Sequence, residues 1–463
     1  MIKQTTVNKS RTFQNTPQQA AGMNGRKGGD KIELLITTVI FVFLTSIILG
    51  INLIISLLLI VLFLFFRYSY PDAHQQKHSF LNSALLLALI FVISYFIVRH
   101  GLSAYYIPFS VIPMLATILF RDLNLAMLIT VASALTISSI ANNNYYLGIL
   151  FLISGTVSII LVKQIHKRDN IFRAGAVIGL VQLIALFFNQ KFQIADWMNY
   201  VILLCNGIAS GIIVIGVLPV FEYLFSITTN ISLLELFHHP LLERLKTEIP
   251  GTHHHSLVVG NLSEAACTAI GANALLARIG AYYHDIGKLS KPEYFSENQN
   301  DTVNKHDILS PTISKMIIMN HVKEGVELAK KHKLNSVLID FIQQHHGSSL
   351  VYYFYRRALE NSENSQEIIE EGFRYPGPKP NKKETAIVLL ADSVEAATRT
   401  LKEPTPAKIE ETVHKIINNK FIDGQLDECE LTLKDLERIS SVFIRILTGI
   451  YHTRVTYPEK PAE

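Results

Sequence analysis

The amino-acid sequence predicts an all-α protein whose first half lies in a membrane and whose second half is a soluble helical domain. Long runs of Leu, Ile, Val and Phe fill residues 31–225, whereas nearly all of the charge and most of the 17 histidines follow residue 226. Almost no segment alternates polar and apolar residues with a period of two, which argues against strands. At 463 residues, the chain is long enough for two or three domains.

The chain begins with a polar segment and a very long apolar run. Residues 1–30 are rich in Asn, Gln, Thr and Gly, which predicts a disordered tail. A helix over residues 33–66 would extend roughly 50 Å, whereas the hydrocarbon core of a bilayer is about 30 Å thick. The run is therefore one long tilted helix or two short helices that meet at residues 50–52. It is also too long for a cleavable signal peptide.

Further apolar segments predict a transmembrane bundle of seven or eight helices over residues 31–225. They lie at residues 80–98, 104–120, 124–141, 145–162, 174–189 and 199–225. The basic connector at residues 163–168 belongs on the cytoplasmic side, which also places the chain after residue 225 there. Basic residues before residue 32 favour a cytoplasmic N-terminus, so we expect eight crossings, with seven as the alternative. Ionisable residues are nearly absent from the spans, which favours an anchor with a sensory role over a transporter.

Charge and cysteine content exclude other classes of protein. The formal net charge is +4, without the basic stripe that binding of a nucleic-acid polymer requires. The three cysteines, Cys205, Cys267 and Cys429, are too far apart to indicate a disulfide set or a thiolate metal site. Cysteines without disulfide partners are typical of proteins in a reducing compartment, and we expect the soluble half to lie in one.

The second half predicts amphipathic helices only. A linker helix occupies residues 226–252 and ends at Pro250-Gly251. Residues 253–455 form the soluble domain, followed by a short tail at 456–463. Its predicted helices lie at residues 256–271, 274–285, 310–332, 334–346, 382–401, 406–418 and 431–452, with a polar loop at 360–383.

Histidines and aspartates of the soluble half are spaced as in a two-metal site. Adjacent His284 and Asp285 can serve two neighbouring metals, because a carboxylate has two oxygens. Lys288, one helical turn beyond Asp285, would lie on the same face and could neutralise phosphate. Further residues are spaced to join this pair: His255, His321, His345, His346 and Asp392. Metals about 3.5–4 Å apart can hold a phosphate oxygen and generate hydroxide near neutral pH.

Each residue alone is a weak signal. A lone histidine on a helix is more often a surface or core residue than a ligand, and the run at residues 253–255 could be a solvated helix cap. Asp392 is a stronger signal, because a bare aspartate on an apolar helix face is costly unless it is paired. We assign no function to the remaining histidines considered, which are His238, His239, His306, His332 and His414.

The whole pattern resembles the seven-transmembrane HD-domain family of cyclic di-AMP phosphodiesterases, the PgpH type. Its ordered set is His, His-Asp and Asp, expanded by His321 and the His345-His346 pair. The resemblance also covers residues 250–252, 255–257, 283–288, 297–299, 345–347, 374–378 and 390–396. It runs from about residue 226 to 450 and, more loosely, through the membrane region. Family members usually carry an extracellular domain after the first helix, and here that insert is missing.

The resemblance implies an HD phosphohydrolase domain on the cytoplasmic side of a bacterial cell membrane. The implied activity is hydrolysis of cyclic di-AMP to linear pApA by a metal-bridging hydroxide, with two divalent ions, manganese or iron. The implied ligands are His255, His284, Asp285, His321, His345, His346 and Asp392. Asp285 and Lys288 are the implied catalytic residues, and Lys288, Tyr353, Tyr355 and Arg374 the implied substrate contacts. For the two tyrosines, packing in the core is an equal alternative.

Three other functions stay open. A cyclic di-GMP phosphodiesterase of the HD-GYP kind would carry Gly-Tyr-Pro after its tandem histidines, whereas Gly347-Ser348-Ser349 stands here. A nucleotidase would need only the simpler ligand set, leaving His321, His345 and His346 without a role. A receptor that only binds nucleotide is disfavoured because every ligand position is filled. A homodimer is compatible with the sequence, which does not determine the oligomeric state.

Overall fold

A computed structural model describes residues 79–163, 165, 167–189, 197–225, 227–299, 304–362 and 368–451. The predicted tails at 1–30 and 456–463 and the apolar run at 33–66 lie outside these residues. The chain divides into two compact units, Met1–Ile227 and Thr228–Glu463. The described residues contain no strand beyond an isolated bridge between Leu350 and Arg374. The all-α prediction is therefore confirmed.

The first unit contains six described α-helices. They are α1 (Ser79–Arg99), α2 (Val111–Phe120), α3 (Leu123–Ile140), α4 (Tyr145–Val162), α5 (Arg168–Asn189) and α6 (Trp197–Phe225). All except α2 are long enough and apolar enough to cross a membrane. Each of these five helices coincides with one of the apolar segments that the sequence predicts.

The predicted span at residues 104–120 is not one continuous helix. A 3-10 turn at Ala104–Tyr106 precedes α2, and Pro108 lies between them. Because α2 has ten residues, it extends only about 15 Å, half of a crossing. The Asn206 side chain of α6 donates to the carbonyls of Tyr105 and Ile107, at 3.0 and 2.9 Å. This amide replaces helical hydrogen bonds that the break removes.

Helices α5 and α6 pack backbone to backbone through glycines. Gly175 and Gly179 face Gly207 and Gly211, so both helices present small residues four positions apart. A Cβ atom on Gly207 would lie 2.2 Å from the backbone nitrogen of Gly179. Small residues at this spacing let membrane helices approach closely.

The second unit contains ten described α-helices. They are α7 (Asn230–Glu235), α8 (Pro240–Glu248), α9 (Pro250–Ile270), α10 (Ala274–Tyr283), α11 (Pro311–Lys331), α12 (Ser336–Gln344), α13 (Tyr352–Glu360), α14 (Lys383–Arg399), α15 (Pro406–Ile422) and α16 (Leu433–Ile450). The central helix is α14, whose residues 386–391 are all fully buried. Helices α9, α15 and α16 pack around it and form the main core.

The structure differs from the sequence prediction at three places. The single helix expected at 226–252 is divided into α7 and α8, and Leu241 and Leu245 bury it in a second core with α10 and α12. Helix α9 begins at Pro250 rather than at the predicted residue 256, and a missing backbone N–H is harmless at this first helical position. Helix α13 was not predicted, because only Phe354 and Ala358 of its nine residues are buried.

Candidate metal centre

Seven predicted ligands converge on one buried cluster in the second unit. His255 lies on α9, His321 on α11 and Asp392 on α14, while His284-Asp285 and His345-His346 directly follow α10 and α12. Six of the seven are buried, and His346 retains 23% of its side-chain exposure. Among the described residues, the cluster is therefore most exposed at His346.

Two glycines allow the chain to approach closely around the cluster. Helix α10 ends at Tyr283, and a 3-10 turn at Ile286–Ser290 follows. A Cβ atom on Gly287 would lie 1.8 Å from the His321 carbonyl oxygen, so only glycine allows this turn to lie against α11. Gly347 has a φ of +53°, the left-handed region, and turns the chain directly after His346.

Backbone carbonyls orient three of the histidine rings. The Nδ1 atoms of His284 and His345 lie 2.6 and 2.9 Å from the carbonyl oxygens three residues earlier. His321 makes the same contact with the Ile318 carbonyl. Because a carbonyl oxygen only accepts, each Nδ1 carries a proton and donates it to the carbonyl, which leaves each Nε2 facing the cluster. This is the arrangement in which imidazole binds a metal.

A carboxylate orients the fourth ring. The Nδ1 atom of His255 lies 2.5 Å from Oε2 of Glu395, one turn after Asp392 on α14. Burial lowers the pKa of His255, but hydrogen bonds to Asp392 and Glu395 raise it to about 9. The two carboxylates therefore favour positive charge at this position.

Two carboxylates connect two halves of the cluster, one that contains His255 and His284 and one that contains His321, His345 and His346. Oδ2 of Asp285 lies 3.1 Å from Nε2 of His284, whereas its Oδ1 lies 3.3 Å from Nε2 of His321. Asp392 repeats this arrangement: its Oδ1 lies 3.1 Å from Nε2 of His255, and its Oδ2 lies 3.6 Å from Nδ1 of His346. Each carboxylate thus presents one oxygen to each half.

The protonation states of Asp285 and His345 suit ligands for a cation. Burial raises the pKa of Asp285, but His284 and Lys288 outweigh this effect and hold it well below its usual value. Burial lowers the pKa of His345 to about 4, so this ring is neutral at pH 7. Deprotonated carboxylates and neutral imidazoles are the forms that bind divalent metals.

The cluster can hold metal ions. Two groups of ligand atoms each lie within 4.8 Å of one another: His255, His284 and Asp285 in one, and His321, His345 and His346 in the other. Nε2 of His284 and Oδ1 of Asp285 are buried and have no hydrogen-bond partner among the described residues. Buried polar atoms left in this way are costly unless something binds them. The donor set of imidazoles and carboxylates fits manganese, iron or zinc.

Lys288 lies beside the cluster and is strongly paired. Its Nζ atom lies 2.7 Å from Oδ2 of Asp285 and 2.7 Å from Oε1 of Glu297. Burial lowers the pKa of Lys288, but these two carboxylates raise it above its usual value. The same ion pair lowers the pKa of Glu297 to about 2, against the effect of burial. Lys288 therefore remains charged and restrains the Asp285 carboxylate.

The remaining predicted residues lie outside the cluster. The Tyr353 ring is 61% exposed and contacts Phe354, while the Tyr355 ring packs against Phe373. The Arg374 guanidinium forms ion pairs with Glu370 and Asp423. Neither tyrosine makes a ring contact with a cluster histidine among the described residues. Their role in substrate binding stays a prediction.

Four residues have contacts around the cluster for which the sequence predicted no role, although three of them lie in segments that carry the family resemblance. Glu395 supports His255, Glu297 holds Lys288, Tyr375 stacks on His346 with ring centroids 4.4 Å apart, and Lys420 donates to Ser349. Glu395 could have been found, because it is a second acidic residue one turn after Asp392 on an otherwise apolar helix. No local pattern distinguishes Lys420 from the other lysines of α15.

Comparison with known families covers both halves of the chain. A family model described as "7TM receptor with intracellular HD hydrolase" matches residues 35–229. A model of the HD domain matches residues 252–397, which include all seven cluster residues. The first match supports a membrane protein, in agreement with the five apolar helices.

Curated relatives are similar over most of the chain. The cyclic-di-AMP phosphodiesterase PgpH of Bacillus subtilis (strain 168) is 39% identical over 427 residues, which cover 87% of this chain and 60% of the relative. The protein of that name from Listeria monocytogenes serotype 1/2a (strain 10403S) is 37% identical over 415 residues, covering 86% of this chain and 57% of the relative. The chain thus spans about 60% of the length of these relatives.

A solved structure is similar to the second unit. It is the crystal structure of the L. monocytogenes PgpH HD domain in complex with cyclic di-AMP, with 47% sequence identity. The match covers 47% of this chain and all of that chain, with a TM-score of 0.45.

Proposed function

The chain belongs to the family of 7TM receptors with an intracellular HD hydrolase domain, and from this membership we propose that it is a membrane-anchored cyclic di-AMP phosphodiesterase. The product would be linear pApA. Support comes from the two PgpH relatives, whose names state this activity. We also propose that residues 253–455 form the hydrolase domain, that residues 31–225 anchor it in a bacterial cell membrane, and that it faces the cytoplasm.

The observation that carries the proposal is the position of Asp285 between two sets of imidazoles. Its Oδ2 lies near His284 and its Oδ1 near His321, so one carboxylate can serve two cations at once. Asp392 does the same from the opposite side of the cluster. We propose that the seven cluster residues hold two divalent cations, manganese or iron. When bound, such a pair polarises a phosphodiester as a Lewis acid and supplies hydroxide near neutral pH.

The chain's own residues hold this arrangement and bind the substrate. Glu395 and the three backbone carbonyls fix the rings, and Lys288 with Glu297 fixes Asp285. In the reaction, a water oxygen adds to phosphorus, the bond from phosphorus to the 3′ oxygen breaks, and that oxygen leaves as a hydroxyl. Lys288 lies close enough to Asp285 to stabilise negative charge beside it. Contacts of Tyr353, Tyr355 and Arg374 with the substrate belong to the same proposal.

The experiment uses the full chain in lipid nanodiscs with Mn²⁺, assayed with cyclic di-AMP and with cyclic di-GMP. We expect conversion of cyclic di-AMP to pApA and its loss in Asp285→Ala. The control is Asp427→Ala, because that side chain is 69% exposed and pairs with Lys379 rather than with a cluster residue. Equal turnover of cyclic di-GMP would contradict the proposed specificity. Full activity of Asp285→Ala would contradict the proposed site.

A further inference from the structure

Three cationic side chains among the described residues lie around the cluster, and they differ in how far their charge is already neutralised. Lys288 contacts two carboxylates, Asp285 and Glu297. Arg374 also contacts two, because its guanidinium pairs with Glu370 at 2.7 Å and with Asp423 at 2.8 Å. These two cations have little charge left to offer to an anionic ligand.

Lys420 is different. Its Nζ atom donates to the Ser349 hydroxyl at 2.7 Å, and none of the described residues places a carboxylate within 4.0 Å of it. The side chain is nevertheless half-buried. Burial lowers the pKa of Lys420 below its usual value, and the charges of Asp392 and Asp423 offset this only in part. A half-buried ammonium held only by a neutral hydroxyl is incompletely compensated.

Lys420 is connected to the His346 edge of the cluster through Ser349 and Tyr375. Its partner Ser349 follows His346 by three residues, and the Ser349 carbonyl accepts from the backbone N–H of Tyr375 at 3.0 Å. The Tyr375 ring stacks on His346, the cluster residue that keeps the most exposure. Asp392 is close enough to influence Lys420. A ligand that enters along the His346 edge therefore passes Lys420 and Ser349.

We propose that Lys420 and Ser349 form the phosphate-binding subsite of the candidate site, with Lys420 as the cation that pairs with a phosphate of the dinucleotide. This proposal rests on the proposed function, and it deepens it by naming the residue that contacts the substrate's charge. The role of Lys288 is then to position Asp285 rather than to supply the main charge for phosphate. A lysine acts here as a compact point charge with rotatable donors, which suits an oxygen-rich anion.

The two lysines can be separated by steady-state kinetics on the full chain in nanodiscs with Mn²⁺. Loss of a hydrogen bond to a charged group weakens binding by about tenfold or more. Lys420→Gln should therefore raise the KM for cyclic di-AMP about tenfold while the bound metal is retained, and Lys420→Arg should recover part of the loss. Lys288→Gln should instead lower kcat and the bound metal. The matched control is Lys415→Gln, an exposed lysine on the same helix, which should behave as wild type.

Binding of inorganic phosphate, measured by calorimetry on the same preparations, keeps this proposal separate from the proposed function. The subsite predicts weaker phosphate binding in Lys420→Gln and Ser349→Ala than in wild type, with an unchanged melting temperature. If wild type hydrolyses cyclic di-AMP but Lys420→Gln leaves both KM and phosphate affinity unchanged, the subsite is wrong and the function stands. If wild type hydrolyses no cyclic dinucleotide but phosphate binding still depends on Lys420, the proposed function is wrong and the subsite stands.

Discussion

The two units bury polar side chains in opposite ways. In the first unit, the buried polar residues among those described are Ser, Thr, Asn and Gln only, all neutral. The second unit buries five histidines, two aspartates and a glutamate. Three buried threonine hydroxyls of the first unit are satisfied within their own helices: those of Thr117, Thr130 and Thr136 each donate to the carbonyl four residues earlier at 2.7 Å.

The difference shows which buried polar groups stabilise a fold and which hold a site. A neutral hydroxyl that donates to a carbonyl of its own helix is buried with its hydrogen bond already made. Ionisable groups that are taken out of water instead cost free energy unless another group compensates their charge. In the second unit all of these groups except His306 face one another and leave His284 and Asp285 atoms without hydrogen-bond partners among the described residues. Cations would supply the missing interactions there, and the first unit has no described cluster of this kind.

Removal of metal should have the largest effect, and only in the second unit. We expect chelation by EDTA to abolish hydrolysis of cyclic di-AMP, and Mn²⁺ to restore it. A ligand present at 100 times its Kd stabilises the folded state by about 2.7 kcal/mol. Hydrogen exchange should therefore become faster around α9 and α14 after chelation and stay unchanged in α5 and α6. Equal changes in both units would contradict the contrast between them.

Gly287→Ala should damage the cluster without removing a ligand. The added Cβ would lie 1.8 Å from the His321 carbonyl, so the turn that carries Asp285 must move away from α11. A displacement of about 1 Å in a catalytic group can reduce the rate about 100-fold. The measurement is kcat/KM for cyclic di-AMP, with Gly449→Ala as control, because a Cβ there meets nothing within 4 Å. Wild-type kinetics for Gly287→Ala would show that the close approach is unimportant.

Glu395→Gln should weaken metal binding while all seven ligands remain. Glutamine can still accept from Nδ1 of His255, but it lacks the charge that favours a cation there. Loss of such a supporting partner typically reduces metal affinity 10- to 100-fold. Titration with Mn²⁺ measures this directly, and Glu410→Gln is the control, since that side chain is 62% exposed. An unchanged Mn²⁺ affinity would limit Glu395 to a packing role.

Gly207→Ala should affect the first unit and leave hydrolysis unchanged. The added Cβ would lie 2.2 Å from the Gly179 nitrogen and would separate α5 from α6, which we expect to cost about 1–3 kcal/mol. Denaturant titration in detergent measures this loss. Gly216→Ala on the same helix is the control, because nothing lies within 4 Å of its Cβ. Loss of turnover in Gly207→Ala would show that the cluster depends on the packing of these helices.

The ligands could be predicted from the sequence because several of them are adjacent in the chain or stand out from their neighbours. Adjacent His284-Asp285 and His345-His346 remain neighbours in any fold, and Asp392 is conspicuous among apolar residues. The all-α class could be predicted because amphipathic periodicity is visible in each short stretch of sequence, without knowledge of distant contacts. The break before α2 was missed because its carbonyls are satisfied by Asn206, about 100 positions later in the chain. No role could be predicted for Tyr375 or Lys420, because their partners His346 and Ser349 are likewise distant in sequence.

The central claim is that the buried cluster holds two divalent cations, and metal content tests it most directly. The measurement is inductively coupled plasma mass spectrometry on the full chain in nanodiscs, for wild type and Asp285→Ala. The account predicts two divalent ions per wild-type chain and at most one in the variant, because Asp285 faces both halves of the cluster. A wild-type protein that hydrolyses cyclic di-AMP without bound metal, or a variant that retains both ions, would contradict it.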